Sequence, residues 1–344
     1  MKNKIYIYYP ILILLLFFAF DKVFTLPFFK EFVQEGNIVY FIHRRQYLFP
    51  KLQKEYEHIN KRLAIISGDS RAYAYSDQLL KEPYKTDWIF YNFSGPQSVP
   101  AYTLFWFEKI IQAKLKPELL IFIVSPEGFD DNKRLIHNPF LRMVADDDFI
   151  IKYWKQIPLE DRYEFLLDKF FAIRKLDLDY KLLLERFRGK TLYQYDSDKN
   201  PNITILNLHR GEQVAYTNIK NDEKKLKQDA RRMAGIYFYN FQVHDTQFFF
   251  TEEILKLARE NEVKVVLVWP RVHMEYRKEY NNRKTVDTWE KRLIALTEKY
   301  KMVYVNLNRE SNCDIFYDAS HQSSLCFPEQ ASYLLEKYEN KRKP

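Results

Sequence analysis

The chain has 344 residues, of which 47% are hydrophobic and 17% aromatic, with charged residues distributed throughout. This composition excludes a disordered protein, and a chain of this length can bury one large core. The formal charge of +8 comes from dispersed lysines and arginines, which argues against a nucleic-acid-binding protein. The two cysteines match no metal-ligand or redox pattern, and we expect neither a metal nor another cofactor.

The amino terminus has the pattern of a membrane anchor. Lys2 and Lys4 precede an apolar run over residues 5–20. As a helix this run spans roughly 24 Å, somewhat less than the roughly 30 Å hydrocarbon core, and snorkelling lysines can cover the difference. No small-residue cleavage site follows, which favours an uncleaved anchor over residues 1–29 rather than a cleaved signal peptide. A buried amino-terminal helix is the remaining alternative.

After this segment the chain alternates between predicted strands and helices. Residues 30–60 read as a connecting stalk, and the folded unit begins at residue 61. Short apolar runs bounded by Gly, Ser or Pro predict strands at 63–66, 87–92, 118–124, 263–269 and 302–307. Helical spacing covers 99–116, 251–261, 285–300 and a last helix from Pro328. We therefore predict an α/β fold, a three-layer α/β/α sandwich with a five-stranded parallel sheet.

The segment from about 130 to 245 interrupts this alternation. It contains no strand-like run of comparable quality, and helical spacing appears at 149–154, 163–173 and 222–233, with a polar, turn-rich stretch at 196–202. We interpret it as a helical cap inserted into the α/β domain.

Glycines follow three of the predicted strands, at Gly68, Gly95 and Gly128. Such positions mark the edge of a parallel sheet where ligands collect. In the run Gly68-Asp69-Ser70 the serine lies where the first strand turns into its helix. Its hydroxyl would then face the crevice as a nucleophile, and its amide would point at a developing oxyanion.

A serine nucleophile needs a base, and Asp318-Ala319-Ser320-His321 offers one near the end of the fold. The three-residue spacing can place the carboxylate and the imidazole on one side of a turn, where Asp318 would orient His321. The alternative is that both are ordinary loop residues. Cys313 and Cys326 flank this pair, and a disulfide between them would brace the loop, although the sequence does not decide whether they pair.

Together these motifs resemble the SGNH (GDSL) hydrolase superfamily over roughly residues 61–340. The anchor, the cap and the Trp269-Pro270-Arg271 strand end resemble bacterial envelope members: alginate-type O-acetyltransferases, the D-alanyl transfer protein of teichoic acid synthesis, and uncharacterised spirochaete membrane proteins. The resemblance implies Ser70 as nucleophile and the amides of Ser70 and Gly95 as oxyanion donors. It implies a single-pass protein of the bacterial inner membrane whose globular domain faces the periplasm or the exterior.

The third block of the family departs from its pattern here. Where the family has an oxyanion asparagine in G-x-N-D, this chain has Val124-Ser125-Pro126-Glu127-Gly128. Either Ser125 or Asn92 substitutes for it, or the oxyanion hole is weaker.

Two arginines, Arg71 and Arg271, are predicted near the crevice. Each would either bind a phosphate or carboxylate of a substrate or pair with a neighbouring acid.

These observations support two hypotheses. The first is an extracytoplasmic serine esterase or O-acyltransferase that acts on an acylated envelope glycan or lipid, with a membrane acyl-donor protein as a further partner. The second is a catalytically inactive scaffold or binding component of an envelope assembly, which the missing G-x-N-D motif favours.

Overall fold

Five short parallel strands form one sheet in the computed structural model, which describes residues 8–23, 25–26, 38–131, 135–175, 184–185, 187–189, 209–214, 222–278, 280 and 283–340. The strands are β1 Arg62–Ser67, β2 Trp88–Asn92, β3 Leu119–Ile123, β4 Lys264–Trp269 and β5 Val303–Asn306. Their order across the sheet is β2-β1-β3-β4-β5. The predicted α/β fold with a five-stranded parallel sheet is confirmed, with each strand within two residues of its predicted ends.

The strands are apolar at nearly every position because both faces of the sheet are covered. Leu63 and Ile65 pack into a large aromatic-rich core on one face, whereas Ala64 and Ile66 pack into a second core on the other. Successive side chains of a strand point to opposite faces, so alternate residues supply the two cores.

Helices form both outer layers. In chain order the α-helices are α1 Tyr9–Val23, α2 Ile38–His43, α3 Phe49–Glu55, α4 Tyr84–Asp87, α5 Pro100–Gln112, α6 Asp147–Lys152, α7 Leu159–Phe170, α8 Glu223–Tyr237, α9 Asp245–Glu260, α10 Met274–Lys278, α11 Arg283–Lys299, α12 Leu307–Glu310 and α13 Phe327–Asn340. Helices α5, α9 and α11 contribute to the aromatic-rich core, and α13 contributes to the second core.

Residues 38–58, predicted as part of a stalk, instead belong to the folded domain. Phe41, Leu48 and Leu52 are buried in the aromatic-rich core. Arg44 is also buried, and it donates hydrogen bonds of 3.0 Å to the carbonyl oxygens of Ser94 and Gly211. The sequence did not indicate this packing, because the burial of the short apolar runs in this stretch depends on contacts with distant segments; residues 30–37 lie outside the described part.

The two ends of the segment between β3 and α9 lie side by side. An isolated bridge pairs Asp130 with Val243, and the amide of His244 donates to the carbonyl of Phe129 over 3.2 Å. Helices α6, α7 and α8 lie within this segment. The predicted polar stretch at 196–202 lies outside the described residues.

Helix α1 has 15 residues, and its apolar side chains are exposed through Phe20. This exposure contradicts the alternative of a buried amino-terminal helix. At the carboxyl end of α1, Asp21 is buried and accepts from the amides of Ala172 (2.7 Å) and Ile173 (2.9 Å). Within the described ranges, no helix has the length and apolar character that crossing a bilayer requires.

Candidate active site

Ser70, His321 and Asp318 form a continuous chain of hydrogen bonds. Ser70 Oγ lies 2.7 Å from His321 Nε2, and His321 Nδ1 lies 2.9 Å from each carboxylate oxygen of Asp318. Ser70 and His321 are 251 positions apart in the chain. The structure therefore brings together the three side chains that the motifs singled out.

The carboxylate of Asp318 organises the loop that carries the imidazole. It accepts from the amides of Ser320 and His321, each over 2.8 Å. Burial raises the pKa of Asp318, but the charge and hydrogen bonds of His321 and the hydrogen bonds of Ser320 outweigh it and lower the pKa to about 2. An ionised carboxylate only accepts hydrogen bonds, so Nδ1 of His321 carries the proton and Nε2 is left to accept from Ser70.

The nucleophile loop begins with a residue that only glycine suits. Gly68 has φ of +136°, and a Cβ there would lie 2.4 Å from the carbonyl oxygen of Ile123 at the end of β3. Asp69 then accepts from the amide of Arg71 over 2.9 Å, which shapes the short turn that begins at Ser70. The close approach of β1 and β3 thus determines where the hydroxyl emerges.

Arg71 lies beneath the triad and is fully engaged by protein groups. Its Nη1 donates to Asp69 (3.1 Å), its Nη2 to Glu127 (2.6 Å) and its Nε to the carbonyl of Ser320 (3.1 Å). The hydroxyl of Tyr276 also donates to Glu127, over 2.7 Å. Burial lowers the pKa of Arg71, but Glu127 and Asp69 outweigh burial and raise it well above its usual value. Of the two predicted roles, the structure shows pairing with neighbouring acids.

Two predicted oxyanion donors are already used within the fold. The amide of Gly95 donates to the carbonyl of Gly68 over 3.0 Å. Asn92 is completely buried, and its Nδ2 donates to the carbonyls of Ala72 (2.7 Å) and Tyr75 (3.1 Å). The predictions that Gly95 and Asn92 donate to an oxyanion are therefore wrong, because both groups already donate hydrogen bonds that hold the segments after β1 and β2 together.

Ser125, the third predicted donor, lines the cleft but donates its hydroxyl to Asp69 over 2.9 Å. The amide of Ser70, by contrast, donates no hydrogen bond within the described part of the chain. It remains available to an oxyanion.

Arg271 is not among the residues that line the cleft, contrary to its predicted position. It donates to the carboxylate of Asp314 and to the carbonyls of Asn308 (3.2 Å) and Ser311 (2.6 Å). Its role is to fix the loop that precedes Asp318.

The same loop is closed by a disulfide between Cys313 and Cys326, whose Cα atoms are 5.6 Å apart. The pairing that the sequence left open is thus present, and it spans the turn that carries Asp318 and His321.

A narrow cleft of about 60 Å³ surrounds the Ser70 hydroxyl. Besides the residues already described, it is lined by side chains that the sequence analysis missed: Gln97, Ser98, Leu135, Met233 and Tyr237. The hydroxyl of Ser98 is buried and has no hydrogen-bond partner among the described residues. Gln97 before it has a left-handed φ of 51°. For Gln97 and Ser98 the sequence offered only the preceding turn residues Gly95 and Pro96, which did not indicate where the two side chains would face.

A family model described as "Protein of unknown function (DUF1574)" matches residues 1–338. The chain belongs to this family. A comparison with curated proteins finds no match. Among solved structures, the chain is similar to a crystal structure from Bacteroides fragilis NCTC 9343 described as a "putative acylhydrolase", with 11% sequence identity and a TM-score of 0.40, over 85% of this chain and 96% of that one. At this TM-score the similarity carries no argument about activity.

Proposed function

We propose that this chain is a serine esterase or O-acyltransferase that acts on an acylated glycan or lipid of the cell envelope. The observation that carries the proposal is the hydrogen-bond chain from Ser70 through His321 to Asp318. Both links are within the reach that general-base catalysis requires. The resemblance of the Gly-Asp-Ser and Asp-x-x-His blocks to SGNH hydrolases supports the same reaction class.

The geometry supports a two-step acyl transfer. Ser70 Oγ attacks the ester carbonyl while His321 Nε2 takes its proton, and the tetrahedral intermediate collapses as His321 returns the proton to the leaving alcohol. Water or a sugar hydroxyl then attacks the serine ester while His321 Nε2 takes its proton. His321 returns this proton to Ser70 Oγ as the acid or the transferred ester leaves. Asp318 stays ionised and stabilises the imidazolium in both steps.

We assign the oxyanion donors to the amide of Ser70 and the hydroxyl of Ser98. The amide of Gly95 and the side chain of Asn92 are occupied, whereas these two donors have no partner in the described part of the chain. Rotation about χ1 moves the Ser98 hydroxyl among three staggered positions, and Ser98 lines the cleft that contains Ser70. A hydroxyl that is unpaired before the reaction loses no protein contact when it turns to the oxyanion.

The size of the cleft favours a small acyl group. Its volume of about 60 Å³ is well below the roughly 300 Å³ at which sites for whole small molecules begin. An acetyl group fits such a space, and a larger alcohol portion would remain outside it.

We further propose that the amino-terminal segment anchors the protein in the bacterial inner membrane and that the domain faces the periplasm or exterior. The support is the basic pair Lys2 and Lys4, the apolar run after it, and the exposed side chains of α1. The disulfide is consistent with an oxidising compartment. Alkaline extraction of membranes and protease access from the periplasmic side would test both statements, and a membrane acyl-donor protein remains a proposed partner.

The activity is tested with p-nitrophenyl acetate and a serine-reactive phosphonate. The wild type is expected to turn over the ester and to acquire one covalent label, and Ser70→Ala to do neither. Ser332→Ala, which changes a serine on α13, is the matched control and should behave as the wild type. Equal turnover by the wild type and Ser70→Ala would exclude the mechanism.

A second candidate function is a non-catalytic scaffold, which the occupied Gly95 amide and Asn92 side chain favour. A folded wild-type protein that neither turns over acyl esters nor reacts with the phosphonate would support this candidate.

A further inference from the structure

A second cavity lies at the carboxyl end of β4, separate from the cleft around Ser70. Its volume is about 340 Å³, within the range typical of small-molecule sites, and the two cavities share no lining residue. Its lining includes Trp269, the last residue of β4, together with Arg277 and Tyr280. Carboxyl ends of parallel strands are where open α/β sheets bind ligands.

Three residues that line this cavity carry buried hydrogen-bond donors that have no acceptor among the described residues. Arg277 Nε, Tyr280 Oη and Trp269 Nε1 are all buried atoms without a hydrogen-bond partner in the part of the chain that the structure describes. Tyr280 is 7% exposed and Trp269 6%. Buried donors in proteins are nearly always paired, and guanidinium and indole N–H groups cannot act as acceptors. The complementary ligand group is therefore rich in acceptors.

Arg277 and Tyr280 carry this argument more than Trp269 does. Indole nitrogens are also unpartnered at Trp88, Trp106 and Trp289, and these residues do not line the cavity. An unpaired indole is thus a recurrent feature of this core, whereas Arg277 Nε and Tyr280 Oη are two further unpaired atoms on residues that line the same cavity.

The charge around the cavity also favours an anion. No carboxylate forms an ion pair with Arg277 among the described residues, and the neighbouring Lys278 is paired with Glu275 over 2.8 Å. Burial and the nearby charge of Arg271 lower the pKa of Arg277 and outweigh the opposite effects of Tyr280 and Asp314. Asp287 is the one acidic residue in the described lining, and it is exposed to solvent.

We propose that this cavity binds a small oxyanion, a carboxylate or a phosphate group, through Arg277 and Tyr280 with Trp269 as a further donor. The site does not depend on the proposed acyl transfer. The cavity nevertheless lies close to the cleft around Ser70. The ring centroids of Tyr280 and Phe238 are 4.0 Å apart, and Tyr237, which precedes Phe238 in the chain, lines the cleft. In addition, Tyr276 on α10 donates a hydrogen bond to Glu127, another residue of the cleft.

The test is thermal unfolding of the full-length protein in detergent, at fixed pH and ionic strength, with chloride replaced by inorganic phosphate or by glucuronate. A ligand that binds only the folded state raises Tm with its concentration. The wild type is expected to show a saturable rise with at least one anion. Arg277→Gln should weaken the apparent affinity about tenfold or more, since charge-assisted hydrogen bonds to oxyanions are among the strongest.

Lys291→Gln, which removes an exposed charge from α11 outside the cavity, is the matched control and should respond as the wild type. Tyr280→Phe keeps the ring and removes the hydroxyl, so it tests the site even if Arg277→Gln folds poorly. The anion with the larger effect identifies the ligand group as phosphate or carboxylate. No rise with either anion, or the same rise in the wild type, Arg277→Gln and Tyr280→Phe, overturns the proposal.

Discussion

Arg71 Nε donates to the carbonyl oxygen of Ser320 over 3.1 Å, although the two residues are 249 positions apart. Ser70 precedes Arg71, and His321 follows Ser320. This hydrogen bond therefore joins the loop that carries Ser70 to the loop that carries His321. Glu127, in the block Ser125-Pro126-Glu127-Gly128, accepts a hydrogen bond from Nη2 of the same guanidinium over 2.6 Å. We therefore expect that block to help position the proposed triad.

Arg71 is accordingly expected to act as a positioning residue. Arg71→Lys retains the charge but loses the planar fork, so we expect kcat to fall by about tenfold with KM unchanged. Arg71→Met leaves Asp69 and Glu127 buried without a cation and should lower the free energy of unfolding by about 3–5 kcal/mol. Steady-state kinetics and urea unfolding measure the two effects. If Arg71→Lys raised KM and left kcat intact, the arginine would be a substrate contact instead.

Ser98→Ala tests the proposed oxyanion donor. Removing one such donor is expected to lower kcat by on the order of 10²-fold. The hydroxyl has no partner in the described structure, so the free energy of unfolding should change by less than about 0.5 kcal/mol. The comparison is made with Ser332→Ala on the same ester. A kcat equal to the wild type would assign the oxyanion to other donors.

The stability of the protein at low pH should depend on Asp318. Its pKa is lowered from 3.8 to about 2 in the folded state. The folded carboxylate is therefore favoured above the unfolded pKa, and this stabilisation is lost as the pH falls through the folded pKa. We expect Asp318 to contribute roughly 2 kcal/mol that disappears between about pH 5 and pH 2.

Urea unfolding of the wild type and Asp318→Asn across that range measures this contribution. The difference in unfolding free energy between the two proteins should shrink as the pH falls. A difference that stays constant with pH would show that the carboxylate has no depressed pKa.

The disulfide between Cys313 and Cys326 should stabilise the folded protein by closing a short loop. The two cysteines are 13 positions apart, and a loop of this size corresponds to about 3 kcal/mol. The double substitution of both cysteines by serine should lower the free energy of unfolding by about this amount. A reducing agent should destabilise the wild type and leave the double variant unchanged; equal sensitivity of both would contradict the prediction.

Local sequence patterns were sufficient to predict where the strands lie and that Ser70, Asp318 and His321 share one edge of the sheet. Each strand is a short apolar run that ends at polar or small residues, and a parallel sheet collects such ends at one edge. Ser70 follows β1, and Asp318 and His321 lie between the last strand and the last helix, so their shared edge could be predicted. The helices flanking the sheet were also predictable, although α9 begins at Asp245 rather than 251 because His244 caps it.

The surroundings of the triad depended on contacts between distant segments, which no local pattern records. Residues 38–58 were predicted as a stalk, but contacts with distant segments bury Phe41, Leu48 and Leu52 in the aromatic-rich core. The resemblance to SGNH hydrolases predicted the Gly95 amide as an oxyanion donor, and Asn92 was one of two candidates for the missing asparagine. The carbonyls of Gly68 and Ala72 accept their hydrogen bonds once β1 and β2 are side by side. The sequence by itself determined which residues could form the proposed triad. Tertiary structure decided which donors and cations remain unpaired to perform the proposed chemistry, because a hydrogen bond depends on distance in space and not on position along the chain.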